Sequence, residues 1–188
     1  PGTFFNNNDI LDSENNNSGL SNNTICIWAH LSKANKIIKE SILTIGLTII
    51  DILTGKLINY EYQHQYINSP TVYDQLEKYI AIYNPCEAII ITNSEEEENL
   101  IDTIISYSNI NTQKLYKIFV NNKNNKISKT KETEFETIAC NCEKQKYQEA
   151  LIDKIYGIGC FQEKCEFHQY PIANQSLCFL LYFIEKHN

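Results

Sequence analysis

The stretch ILTIGLTIIDILTGKLINYEYQHQ, residues 42–65, decides the fold of this chain. Its first half is rich in β-branched residues and leucine, and Gly55 supplies the positive φ that a tight connection between strands needs. From Leu57 onwards apolar and polar residues alternate, which is typical of a strand with one buried face. We therefore predict a β-hairpin with its turn at residues 51–56, onto which the rest of the chain packs.

The segments around this hairpin predict a mixed α/β sheet. Residues 24–30 form an apolar run of strand length, and residues 31–41 connect it to the hairpin, which gives three antiparallel strands in succession. After Ser69 and Pro70, apolar residues at three-and-four spacing predict a helix that ends before Asn84. The remaining predictions are strands at 87–92 and 114–121, helices from 94, at 143–156 and at 173–186, a mobile loop at 121–141 and an irregular stretch at 158–170.

Composition and charge limit the possible functions. The chain has 188 residues, 43% of them hydrophobic, which is enough for one domain with a real core. A net charge of −7 disfavours tight binding to nucleic acid or to an anionic membrane, and no apolar run is long enough for a transmembrane helix. The chain contains no methionine, so we expect it to be a piece of a longer intracellular protein.

Seven cysteines at irregular spacing predict a reduced protein, not a disulfide framework. A zinc site is an open alternative, although the intervals between the possible ligands are unlike those of common zinc sites. Buried or idle thiols are the simpler interpretation. The residues that a zinc site could use are Cys140, Cys142, Cys160, Cys165 and His168.

Three strands followed by alternating helices and strands resemble the ribonuclease H-like fold, and short motifs resemble the connector domain of MutS mismatch-repair proteins. The opening PGT is similar to the end of the MutS mismatch-binding domain, and GLTIIDILTGK at 46–56 to its G-x-x-x-x-D-x-S/T-G hairpin. Residues 84–87, NPCE, match N-P-x-E, and residues 151–159 resemble L-x-G-F-G. Residues 173–188 resemble the first lever helix, in the version found in the MutS of giant viruses and coral mitochondria.

This resemblance implies a non-catalytic connector that couples mismatch recognition to the ATPase of a dimeric parent protein. It implies residues 1–23 as a linker, 24–170 as the ribonuclease H-like domain and 171–188 as the start of the lever helix. No cofactor is expected on this piece, because the phosphate-binding G-x-x-x-x-G-K-[ST] is absent; ATP and Mg²⁺ belong to the rest of the parent. We also expect contact with DNA through the parent protein, no contact with a membrane, and a cytoplasmic or mitochondrial location.

A partner-docking surface is predicted beside the second helix, with a MutL-like protein as the partner that the resemblance suggests. The acidic run after Ser94 is most simply a solvated helix start, and a docking rim is its alternative. The residues of the predicted surface are Asn93, Ser94, Glu95, Glu96, Asn99, Asn109, Asn111 and Gln113.

A metal-dependent nuclease is the alternative from another class of protein, because the same fold supports two-metal phosphodiester hydrolysis. Such a site needs acids on the first strand, the first helix and the fourth strand. The first strand, residues 24–30, has none, and the fourth ends in Thr92 and Asn93. Asp51 and Glu77 remain, and we interpret them as a turn residue and a solvated helix residue.

Overall fold

The structure is a computed structural model that describes residues 22–34, 39–67, 69–93, 98–120, 131–164 and 169–187. Within these ranges five strands and six α-helices are present, with a short 3-10 helix, Pro70–Tyr73, before the first α-helix. The strands are β1 (Asn23–Ser32), β2 (Ile42–Asp51), β3 (Leu57–Gln65), β4 (Glu87–Thr92) and β5 (Lys114–Phe119). The helices are α1 (Asp74–Tyr83), α2 (Glu98–Tyr107), α3 (Lys131–Cys142), α4 (Gln145–Tyr156), α5 (Cys160–Lys164) and α6 (Pro171–His187).

The strands form one mixed sheet in the order β3-β2-β1-β4-β5. The first three strands are antiparallel neighbours, whereas β1 pairs with β4, and β4 with β5, in parallel. A parallel pair needs a crossover connection, and α1 and α2 provide the crossovers that lead into β4 and β5. The predicted meander followed by helix-strand units is therefore confirmed.

The predicted turn of the hairpin is formed by the side chain of Asp51. Its Oδ1 accepts hydrogen bonds from the backbone N–H groups of Leu53 and Thr54, and its Oδ2 accepts one from the Thr54 hydroxyl at 2.7 Å. Gly55 has a φ of 70°, in the left-handed region that favours glycine. The hydrogen bond with Thr54 is the main reason why the pKa of Asp51 is lowered. Asp51 thus has the structural role that the sequence predicted.

Hydrophobic clusters cover both faces of the sheet, and successive residues of β1 alternate between them. Ile25, Ile27 and Ala29 belong to the cluster beneath α1 and α2. Cys26 and Trp28 belong to the cluster on the other face, which includes residues of α3, α4 and α6. We call this second side the α6 face. The position of each β1 side chain along the strand therefore determines which helical layer it contacts.

The signals predicted at three helix ends are observed. Ser69 Oγ accepts a hydrogen bond from the Thr71 N–H, and Asn84 ends α1 in the left-handed region with φ 40°. Gly157 follows α4 with φ 105°. The proposed capping residues Ser94 and Glu97 lie outside the described residues.

The structure differs from the sequence-based prediction in its last third. The segment predicted as a mobile loop contains α3, and the stretch predicted as irregular contains α5. Phe135 and Ile138 of α3 pack against the core on the α6 face, which stabilises this helix despite its polar composition. Helix α6 shares that core with β1 and β4.

Candidate functional site

The edge of the sheet at which β1 and β4 end is the candidate site, and we call it the carboxyl edge. The two strands are parallel, and their last pair is Ala29 with Thr92. The chain leaves β1 towards β2 on one side and leaves β4 towards β5 on the other. In open α/β sheets, ligands bind outside the carboxyl ends of strands at such a divergence of connections.

Asn93, the first residue after β4, holds this edge together. Its Oδ1 accepts a hydrogen bond from the Leu31 N–H at 2.9 Å, and its Nδ2 donates to the Leu31 carbonyl at 3.4 Å. The Asn93 side chain thus hydrogen-bonds to β1 as a backbone N–H and carbonyl of β4 would, beyond the last pair of the two parallel strands. A pair of such bonds restricts both strand ends at the place where a ligand would contact them.

We call the two hydrogen bonds between Asn93 and Leu31 the clamp. His30 lies beside the clamp on the α6 face, since it follows Cys26 and Trp28 in the alternation of β1. It is half-buried, and its cross-strand partner, Thr44, is buried. Burial lowers the pKa of His30 from its ordinary value of 6.5, which favours the neutral imidazole at neutral pH. The described residues of the two strand ends are therefore neutral hydrogen-bonding groups, with the exposed Lys33 just beyond β1.

The predicted docking residues are placed at two ends of α2. Asn93 and the exposed Asn99 lie near the start of this helix, whereas Asn109 lies beyond its end and donates a hydrogen bond to Glu77 of α1 at 2.5 Å. A helix of 10 residues separates them, or about 15 Å at the usual rise per residue. Asn111 and Gln113 are exposed and precede β5 at the opposite edge of the sheet; Ser94, Glu95 and Glu96 lie outside the described residues.

The acids considered for a nuclease are not brought together. Asp51 is bound in the hairpin turn, at the end of the sheet opposite the carboxyl edge. Glu77 accepts the hydrogen bond from Asn109, on the helical layer formed by α1 and α2. Within the described ranges, no three His, Cys, Asp or Glu side chains form a group that could hold a metal ion.

Among the described residues, the cysteines of the proposed zinc site are not part of any group of three ligands that could hold a metal ion. Cys142 is buried in the core on the α6 face, and Cys140 and Cys160 are half-buried. Cys165 and His168 lie outside the described residues. Burial is the main cause of the raised pKa of both Cys140 and Cys142, which favours the protonated thiol and disfavours the thiolate that zinc requires.

Sequence reasoning missed the polar contacts that position α6 on the sheet. Glu61 of β3 accepts hydrogen bonds from the backbone N–H groups of Ile172 and Ala173, at 2.8 and 2.9 Å. Asn59 accepts from the Thr48 hydroxyl and donates to the side chain of the buried Asn174. The available signal was the alternation of β3, which placed Asn59 and Glu61 on one face, but it could not name their distant partners.

No family model and no curated protein matches the chain. Among solved structures it is similar to T. thermophilus RuvC in complex with Holliday junction substrate, with 7% identity and a TM-score of 0.43 over 86% of this chain and 96% of that one. The fowlpox virus Holliday junction resolvase has 10% identity and a TM-score of 0.39, over 87% and 99%. RNase H1 from Halobacterium salinarum has 8% identity and a TM-score of 0.32, over 53% and 86%.

The fold of the chain is ribonuclease H-like, as predicted, with a mixed five-stranded sheet and a C-terminal helix. At these identities the likeness concerns the fold alone. Among the described residues, no helix is long and apolar enough to cross a membrane.

The interpretation as a MutS connector is corrected by these comparisons. The three structures named above are two Holliday junction resolvases and an RNase H, and no family model supports MutS. The expectations of a non-catalytic piece, a MutL-like partner and a dimeric ATPase parent are contradicted with it.

The physical reason for this error lies in the motif that suggested MutS. Asp51, Thr54 and Gly55 of that motif form the hairpin turn, and Gly46 gives α6 room to pack. These roles belong to the fold. A motif whose residues build a shared fold cannot distinguish among the functions that the fold supports.

Proposed function

We propose that this chain is a DNA-binding domain of the ribonuclease H-like nuclease class, which contacts DNA at the carboxyl edge of β1 and β4. The observation that supports this proposal best is the clamp between Asn93 and Leu31, which fixes two parallel strand ends where the chain connections diverge. The resolvases named above have this fold, and RuvC was solved with a Holliday junction, so a four-way junction is one of the probes.

The Mg²⁺ ions that support hydrolysis on this fold do not fit the described residues. A two-metal site needs several carboxylates that converge on one place, whereas Asp51 is bound in the hairpin turn and Glu77 is bound to Asn109 on the helical layer of α1 and α2. We derive no hydrolytic step for this reason. The proposal concerns DNA contact, and cleavage is a separate measurement.

The charge of the chain sets an expectation for affinity. A net charge of −7 opposes the approach of a polyanion, and Lys33 and Lys39 are exposed cations on either side of the connection between β1 and β2. We therefore expect weak binding, in the micromolar range or above, that decreases as salt is added. A small number of phosphate contacts predicts a shallow dependence on salt concentration.

The test is fluorescence anisotropy with a labelled four-way junction, a duplex of the same sequence and a single strand. Asn93→Ala removes the clamp and is expected to weaken junction binding by about fivefold, the equivalent of one lost hydrogen-bonding side chain. Gln75→Ala, on the exposed surface of α1, is the matched control and should leave binding unchanged. The absence of binding to all three DNA forms, or equal binding by Asn93→Ala, contradicts the proposal.

Cleavage is followed in the same samples on denaturing gels, with Mg²⁺ or Mn²⁺ added. Products that disappear in Asn93→Ala but persist in Gln75→Ala would locate hydrolysis at the carboxyl edge. Products that persist equally in both variants would locate hydrolysis elsewhere. They would contradict the assignment of the carboxyl edge as the surface that contacts DNA.

A further inference from the structure

The described carboxylates nearest to the sheet each have a structural partner at a separate place. Glu61 accepts two N–H groups from the first turn of α6. Glu77 accepts from Asn109, and Glu87, at the start of β4, forms an ion pair with Lys114 at 3.7 Å. Asp51 is held by the hairpin turn. A divalent cation at any one of these carboxylates would compete with these partners.

The described residues of the carboxyl edge offer poor ligands for such an ion. Both polar atoms of the Asn93 side chain are used by the backbone of Leu31. Thr92 and Thr44 are buried, and His30 is half-buried. Mg²⁺ and Ca²⁺ prefer carboxylate, carbonyl and water oxygens that are free to arrange around the ion, so a neutral edge of committed groups is unsuited to them.

We infer that the described residues of the carboxyl edge bind no divalent cation, and that the binding of DNA at this edge does not depend on one. This inference rests on the proposed function and adds the role of divalent cations to it. Divalent cations would then act only as screening salt, and would weaken binding to the extent that their ionic strength predicts.

The first test compares junction binding by the full chain in EDTA and in Mg²⁺ at matched ionic strength. Dissociation constants that agree within about threefold, a difference well under 1 kcal/mol, are the expected result. Binding that is tighter in Mg²⁺ by more than this factor overturns the inference.

The second test measures metal binding without DNA. Substoichiometric Mn²⁺ is added to the isotope-labelled chain, and the amide signals of Leu31, Thr92 and Asn93 are compared with those of Leu76 and Ile104 in the opposite layer. Equal intensities are expected, whereas selective broadening at the carboxyl edge overturns the inference. A variant with His30→Asp and Asn93→Asp places two carboxylates on neighbouring strands and is the positive control for broadening.

The two tests separate failure of the inference from failure of the proposed function. No DNA binding in either buffer refutes the proposed function, and the Mn²⁺ measurement then still decides whether the edge holds a cation. Binding that depends on Mg²⁺ refutes the inference and leaves the proposed function standing.

Discussion

Gly46 and Glu61 are cross-strand partners on β2 and β3, and both contact the first turn of α6. A Cβ at Gly46 would lie 2.4 Å from the backbone of Ile172 and Ala173, so only glycine allows the helix to approach this closely. Glu61 accepts two of the N–H groups that the start of a helix leaves without intrahelical partners. One residue therefore supplies space and the other supplies the acceptor for the same helix end.

Gly46→Ala is expected to lower the free energy of unfolding by about 2–4 kcal/mol, because backbone atoms of α6 must move away from the sheet. Urea titration followed by circular dichroism measures this loss. Gly55→Ala is the matched control: its Cβ meets nothing within 4 Å, and only its positive φ opposes alanine. The control should cost about 1–2 kcal/mol. A Gly46→Ala variant no less stable than Gly55→Ala would contradict the close approach of α6.

Glu61→Ala is expected to lower the free energy of unfolding by about 2 kcal/mol, because the N–H groups of Ile172 and Ala173 lose their acceptor in a half-buried place. Glu61→Gln keeps an acceptor oxygen and should recover about half of this loss. Gln63→Ala, two residues along the same face and exposed, serves as the control and should change stability by less than about 0.5 kcal/mol. Equal stability of Glu61→Ala and Gln63→Ala would show that Glu61 does not cap α6.

His30 predicts a loss of stability in mild acid. Because burial lowers its pKa below 6.5 in the folded chain, the unfolded chain binds a proton first as the pH falls. The stability that neutral His30 contributes is thus present above pH 6.5 and is lost as the pH falls from there towards the lowered pKa. His30→Gln should make the free energy of unfolding less dependent on pH in this window. Gln63→Ala, at an exposed and non-titrating residue of β3, should leave the dependence unchanged.

The cysteines are expected to differ in reactivity according to burial. Burial raises the pKa of Cys26 to about 12, opposed by the Ser176 hydrogen bond, and also raises that of Cys142. Iodoacetamide at neutral pH should label the half-buried Cys86 and Cys160 faster than Cys26 and Cys142 by at least about a hundredfold, because the thiolate is the reactive form. Peptide mass spectrometry measures each rate, and unfolding in urea should make the rates similar. Rapid labelling of Cys26 in the folded chain would refute its burial.

The hairpin, α1 and β4 could be predicted because their signals are local. Alternation identified the buried face of β3, and the left-handed residue Gly55 identified the turn. Helix α3 was missed because its polar composition obscured the helical spacing of its few apolar residues. Those residues are Phe135, Ile138, Ala139 and Cys142.

The arrangement of the site was less accessible to sequence reasoning. Periodicity shows which face a residue occupies, but not that Glu61 caps a helix 111 residues further along the chain. The separation of Asn93 from Asn109 could have been predicted from the sequence. A crossover helix carries the chain away from the end of one parallel strand before the next strand begins. The predicted docking surface treated these two ends as one, whereas Asn93 forms part of the carboxyl edge and Asn109 contacts α1.

The hydrogen bond from Ser176 to the carbonyl of Cys26 joins groups 150 residues apart, and α6 follows the five strands and the other helices among the described residues. During synthesis all five strands therefore emerge from the ribosome before the helix that covers one of their faces. Trp28 and Ile91 on that face remain exposed to solvent until translation reaches α6. A nascent chain stalled before residue 171 should consequently be recognised by holdase chaperones, and the emergence of α6 from the ribosome should end that recognition.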